Sequence, residues 1–124
     1  MNDILILDDD YDLAKSWEEA LTAAGGRVII THSTKEAIQH VKKRAFRAVI
    51  VDLMIDVPID DEPDSGIHFL RALREVEAPR PKLIGVSGYY GSDKGEMAKT
   101  LFTVYGVTHI LLKPFEPEAL IKLI

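Results

Sequence analysis

The sequence predicts an α/β fold in which a parallel sheet carries helices on both faces. Three observations lead there. Residues 4–7, 48–51, 83–86 and 110–112 are short apolar runs rich in Val, Ile and Leu, as in a strand buried on both faces. Segments with helical spacing separate the runs, so strand and helix alternate five times, and right-handed crossovers then make the strands parallel. Each run also ends in polar residues: Asp8, Asp9 and Asp10 after the first, then Asp52, Ser87, and Lys113 with Pro114 behind it. Ligands of such sheets bind beyond the carboxyl ends of the strands, so these side chains are expected on one edge.

The first strand is predicted at about 3–7. A helix follows from Asp12, its expected N-cap, to about residue 24. Leu13, Trp17, Ala20, Leu21 and Ala24 form its apolar stripe, and Gly25-Gly26 stops it. The second strand is expected at 27–31. Ser33-Thr34-Lys35-Glu36 has the form of a capping box and opens a helix to about residue 44. The third strand, 48–51, ends at Asp52. From Leu53 to Asp64, two prolines and five acids break any regular pattern, which reads as a long loop. Ser65 or Asp64 is the expected cap of the next helix, with Ile67, Leu70, Leu73 and Arg74 in its pattern. Pro79 and Pro81 bound the fourth strand, 82–86. A less regular helix is expected at about 94–105, a fifth strand at 108–112, and a last helix from Glu116–Pro117, since proline suits a first helical turn.

A length of 124 residues suits one domain, 1–124, with a sizeable core; it fits a small protein or a domain cut from a longer chain. No cysteine is present, which excludes disulfides, thiolate nucleophiles and Cys-based metal sites and is compatible with a reducing cytoplasm, the expected location. Met1 leads straight into the first strand, so no signal peptide is expected, and no apolar run approaches the roughly 20 residues needed to cross a bilayer. The net charge of -5 is local: Asp56, Asp60, Asp61, Glu62 and Asp64 share one segment without Lys or Arg, and elsewhere acids and bases balance. A nucleic-acid-binding surface is not indicated.

Carboxylates converging on one edge repel each other unless a cation joins them. The pattern therefore asks for a divalent metal, with Lys113 as a second positive charge. Taken singly, the parts have plainer readings: Asp8–Asp10 as a solvated turn before a helix, Asp52 as a cap, and Lys113-Pro114 as a strand stop. Together, Leu7-Asp8-Asp9-Asp10, Val51-Asp52-Leu53-Met54, Val86-Ser87-Gly88 and Leu112-Lys113-Pro114-Phe115 resemble the receiver domain of two-component response regulators. The match runs over essentially the whole chain in the right order, and Gly66 fits the Asp-Gly that opens the family's third helix.

The resemblance implies a flavodoxin-like (CheY-like) doubly wound sheet of five parallel strands, order 2-1-3-4-5. It implies a phosphorelay receiver in which Asp52 accepts a phosphoryl group from a sensor histidine kinase or histidine phosphotransfer protein. Mg²⁺ or Mn²⁺ is the implied cofactor, held by Asp9 directly, Asp8 chiefly through water, Asp52, and the Met54 backbone carbonyl. Lys113 is implied to pair with Asp52 and then with a phosphoryl oxygen, Ser87 to move onto the phosphoryl group, and Lys113-Pro114 to be a cis peptide. By the same resemblance, the fourth helix, fifth strand and last helix form the partner or homodimer face. Catalysis is expected only of the chain's own phosphoryl acceptance and slow autodephosphorylation.

Three departures bear on this reading. The family's aromatic switch lies three residues before the lysine, where this chain has Ile110; Tyr105 and Tyr89 are the candidate substitutes. The glycine behind the acceptor is delayed to Gly66 by the acidic segment, which reads as a solvated loop or as a partner-specific one. Met54 and Tyr89, two residues beyond Asp52 and Ser87, offer no acid or amide to position an attacking water. If the switch is lost, the alternative is an unswitched interaction module of the same fold. A small nucleotide- or flavin-binding enzyme is a third class, but the turn Asp8-Asp9-Asp10-Tyr11-Asp12 lacks a Gly-rich cradle and would repel phosphate. The histidines His32, His40, His68 and His109 show no ligand spacing, and Trp17 is expected to be a partly buried helix residue.

Overall fold

The structure is a computed structural model that describes residues 3–8, 10–52, 54–59, 62–76, 80–87, 103–113 and 115–124. In chain order the elements are β1 (Asp3–Leu7), α1 (Tyr11–Ala23), β2 (Arg27–Thr31), α2 (Thr34–Lys43), β3 (Ala48–Asp52), β4 (Met54–Ile59), β5 (Glu62–Ser65), α3 (Gly66–Leu73), β6 (Lys82–Ser87), β7 (His109–Leu112) and α4 (Pro117–Leu123). Five of the strands form one parallel sheet in the order β2-β1-β3-β6-β7. Counted along that sheet alone, this is the predicted order 2-1-3-4-5.

Side-chain alternation along the strands builds two cores. Leu5, Leu7, Val49, Val51 and Leu83 face Ala37 and Val41 of α2 and Phe69, Leu70 and Leu73 of α3. Ile4, Ile6, Ile50, Ile84 and Val86 face Ala14, Trp17 and Leu21 of α1 and Leu120 of α4. Strands apolar on both faces are the signature of a covered parallel sheet, and the period of two divides their residues between the helical layers.

Helix boundaries follow their caps. Asp10, not Asp12, caps α1: its side chain accepts from the Leu13 N–H at 3.1 Å, which moves the start two residues earlier than predicted. Gly25 ends the helix with φ 99°, a conformation that glycine adopts freely. A Cβ on Gly26 would stand 3.0 Å from Ile4 Cδ1 and 3.1 Å from the Leu21 carbonyl oxygen, so a side chain there would push on β1. Ser33 caps α2 through the Glu36 N–H at 3.3 Å, as its motif predicts. Pro117 sits in the first turn of α4. Of the predicted helix at 94–105, only its last residues lie within the described segments, with Thr103 and Val104 helical. No helix among the described residues is long and apolar enough to cross a membrane.

The segment expected to be a long loop is instead the antiparallel hairpin β4–β5. Ile55, Val57 and Ile59 alternate along β4 in β-branched fashion, a strand signal that the two prolines obscured. Ile59 faces Glu62 and Pro58 faces Pro63. Counting back from the closing pair of a two-residue hairpin, the prolines fall at a non-hydrogen-bonded pair, where neither needs to donate across the ladder. The register shifts between Met54 and Pro58.

Candidate functional site

The sheet register brings three of the predicted residues together. Leu7 of β1 pairs with Val51 of the central neighbour β3, so Asp8 and Asp52, one residue further on, end adjacent strands. Lys113 follows β7 directly and reaches across the edge. Its Nζ donates to Asp52 Oδ2 at 2.9 Å and stands 3.1 Å from Asp8 Oδ2. Both carboxylates are buried, Asp8 to 1% exposure and Asp52 to 5%.

Asp8 is fixed by its surroundings. Its Oδ1 accepts from the Asp10 N–H at 2.9 Å, its own N–H donates to the Thr31 carbonyl at 3.1 Å, and its carbonyl lies 3.1 Å from His32 Nδ1. Oδ2 is buried and has no hydrogen-bond donor among the described residues; its contact with Lys113 is an ion pair alone. Burial pushes the Asp8 carboxyl above its ordinary value of 3.8, against the lowering pull of the Asp10 N–H and the Lys113 charge. Burial also works against the charge on Lys113. The hydrogen bond and charge of Asp52, with the charge of Asp8, outweigh it and hold the ammonium above 10.5.

An aromatic pair backs the lysine. Trp17 is 1% exposed and its ring stacks on Phe115, centroids 5.2 Å apart, with Lys113 Nζ 5.9 Å from the indole centroid. Trp17 is thus fully buried, not partly so, because Phe115 returns over α1 directly after the lysine turn. Neither Trp17 nor His32 figures in the sequence-predicted site. Phe115, two residues past Lys113, was the available signal for the first; ligand spacing gave none for the second.

Ser87 ends β6 one residue beyond Val86, the partner of Asp52, and so reaches the same edge. Met54 opens β4 two residues past Asp52. Asp9, Pro114 with the cis peptide expected there, Tyr89 and the span 88–102 lie outside the described residues. Ile110, in place of an aromatic, packs against the core that holds α2 and α3. Tyr105, a candidate substitute, packs there too; its hydroxyl accepts from Arg71 Nε at 2.9 Å and the Arg74 guanidinium lies 5.1 Å from its ring centroid.

Among the described residues, two buried carboxylates, Asp8 and Asp52, share the Lys113 ammonium, and the buried Asp8 Oδ2 lacks a hydrogen-bond donor. That donor set is oxygen only and suits a hard divalent cation. Among the described residues no cluster of three or more His, Cys, Asp or Glu is placed to hold a metal ion. The third acid of the predicted set is Asp9.

The fold matches that of solved proteins. A response regulator from Burkholderia pseudomallei, solved with a phosphorylated aspartic acid, calcium ion and citrate, superposes with a TM-score of 0.81 at 21% identity, covering 99% of this chain and 66% of that one. Chemotaxis response regulator CheY4 of Vibrio cholerae gives 0.81 at 25% identity, covering 98% and 94%. NtrX from Brucella abortus, in complex with ADP, gives 0.80 at 22% identity; 99% of this chain corresponds to only 26% of that one. The chain therefore spans just under two thirds of the first of these relatives and about a quarter of NtrX. No curated protein matches the sequence. The family profile described as the response regulator receiver domain matches residues 4–124, and the chain belongs to that family of two-component signalling domains.

Proposed function

We propose that the chain is a phosphorylation-switched receiver that accepts a phosphoryl group on Asp52. The observation that carries this is the Lys113 ammonium, hydrogen-bonded to Asp52 and paired with Asp8 at the carboxyl edge of the sheet. Phosphoryl transfer needs positioning and charge neutralisation more than acid–base chemistry. An Asp52 carboxylate oxygen forms the new O–P bond while the P–N bond of a phosphohistidine breaks, and the departing imidazole nitrogen takes up a proton. Lys113 follows the charge from the carboxylate to a phosphoryl oxygen. Ser87, at the end of the adjacent strand, is the hydroxyl available to the product.

Asp8, Asp9, Asp52 and the Met54 backbone carbonyl are the residues that would hold Mg²⁺. Bound there, the ion supplies positive charge to the phosphoryl oxygens. The buried Asp8 oxygen without a donor supports this. The phosphorylated aspartic acid and calcium ion of the Burkholderia protein support the chemistry by likeness. Response regulator receivers work with histidine kinases or phosphotransfer proteins, and such a protein is the proposed donor. The face formed by the span before β7, β7 itself and α4 is the proposed partner or homodimer surface. Autodephosphorylation is slow in this reading, and the chain works in the cytoplasm without contacting nucleic acid or membrane.

A second reading, an unswitched interaction module, draws on Ile110 in the core and on Tyr105 tied to α3 by Arg71. Intact-mass analysis after exposure to phosphoramidate, with and without Mg²⁺, separates the two. A switched receiver gains one phosphoryl group in a Mg²⁺-dependent way, and Asp52→Asn does not. A wild-type chain that stays unmodified supports the second reading.

A further inference from the structure

The β1–β2 ladder runs in register from Asp3↔Arg27 to Leu7↔Thr31 and continues one bond further, from the Asp8 N–H to the Thr31 carbonyl. In a parallel ladder the next bond would come from the Ser33 backbone N–H to the Asp8 carbonyl. Ser33 is instead the N-cap of α2, its side chain turned to the Glu36 N–H. The imidazole of His32 supplies the missing donor, with Nδ1 3.1 Å from the Asp8 oxygen. A carbonyl only accepts, so the hydrogen is on Nδ1. The ring is braced by Tyr11, centroid to centroid 5.6 Å, and the strand beneath it by the buried Thr31 hydroxyl, which donates to the Ile6 carbonyl at 2.8 Å.

We propose that His32 is a positioning residue for the acidic site, acting through the Asp8 carbonyl. That oxygen belongs to the peptide joining Asp8 to Asp9, so one side chain from the edge strand sets the plane of the peptide between the two acids. With the Asp8 N–H, carbonyl and Oδ1 all bonded, only Oδ2 is left to face Lys113 and a cation. Residues that orient metal ligands from behind typically govern about 10–100-fold in affinity. The inference rests on the metal reading proposed above.

Mg²⁺ titration of the wild type, His32→Ala, His32→Asn and His32→Gln tests it, read by calorimetry and by the fluorescence of Trp17, the one tryptophan in the chain. Thermal melts without metal run alongside. An Asn amide nitrogen occupies the place of Nδ1, whereas a Gln amide lies one bond further out. His32→Ala should weaken Mg²⁺ about 10-fold. His32→Asn should restore binding to within about 3-fold of wild type, and His32→Gln should not, while the metal-free melting temperatures of the Asn and Gln variants stay close together. Should His32→Ala not fold, the Asn and Gln pair decides alone. Wild-type affinity in His32→Ala, or equal affinity in the Asn and Gln variants, overturns the inference and leaves the metal reading standing. A wild-type chain that does not bind Mg²⁺ overturns both.

Discussion

Replacing Lys113 with methionine removes the one ammonium that joins two buried carboxylates while keeping an unbranched side chain against Trp17. At 2.9 and 3.1 Å, each attraction amounts to roughly 5–6 kcal/mol at an effective dielectric of about 20, before the desolvation of the charges is set against it. Removing one partner of a buried pair typically destabilises by about 3–5 kcal/mol. The loss also has a ceiling, because the site can relieve itself by taking up a proton. Protonating an aspartate of ordinary value 3.8 costs about 1.4 kcal/mol per pH unit above that value, hence about 4 kcal/mol at pH 7 and about 1.6 kcal/mol at pH 5. Lys113→Met should therefore lose about 3–4 kcal/mol relative to wild type at pH 7 and less than about half of that at pH 5. The sign is fixed: without the lysine, the folded site binds a proton that the unfolded chain releases, so the variant loses ground as pH rises above about 4. Urea unfolding of both chains without metal, at several pH values between these, measures it. A stability difference that does not change with pH would refute the charge-sharing geometry.

Asp8→Asn has the opposite sign. The Asp8 carboxyl is raised by burial, so its ionisation works against folding as pH climbs through the raised value. A neutral, nearly isosteric amide should leave the metal-free chain more stable than wild type at pH 7 while abolishing the Mg²⁺-dependent rise in melting temperature; a destabilised variant would contradict this. For Lys113 the raised value means that its stabilising contribution is complete below 10.5 and is lost as pH rises through the folded value, so alkaline unfolding of the wild type should begin above the ordinary lysine range. Tyr105→Phe removes the hydroxyl that accepts from Arg71 and should cost about 0.5–1.5 kcal/mol in urea unfolding without changing phosphoryl acceptance. A change in acceptance would show Tyr105 to be coupled to the site.

What was legible in the sequence was the part governed by period and punctuation. The apolar runs ending in Asp8, Asp52, Ser87 and Lys113 gave the sheet and the shared edge, because a parallel strand must be apolar on both faces and must stop at a polar turn, while the strand order came only with the family resemblance. The hairpin was missed because proline is a strand breaker only where its N–H is needed, and which positions need one depends on a pairing that no local pattern states. Asp10 and Asp12 are equivalent as caps on paper; the choice came from which carboxylate meets the Leu13 N–H. His32 was passed over for a similar reason. Its role is to one carbonyl on the neighbouring strand, a contact 24 residues away in sequence that ligand spacing does not encode.

The central claim is that Asp52 carries the phosphoryl group. An aspartyl phosphate is an acyl phosphate, which borohydride reduces to homoserine. Treatment with phosphoramidate and Mg²⁺, then borohydride, then peptide mapping should place homoserine at position 52, with none there when Mg²⁺ is withheld. Homoserine at position 8, 9 or 10 instead, or at no position under conditions that add a phosphoryl group, would contradict it.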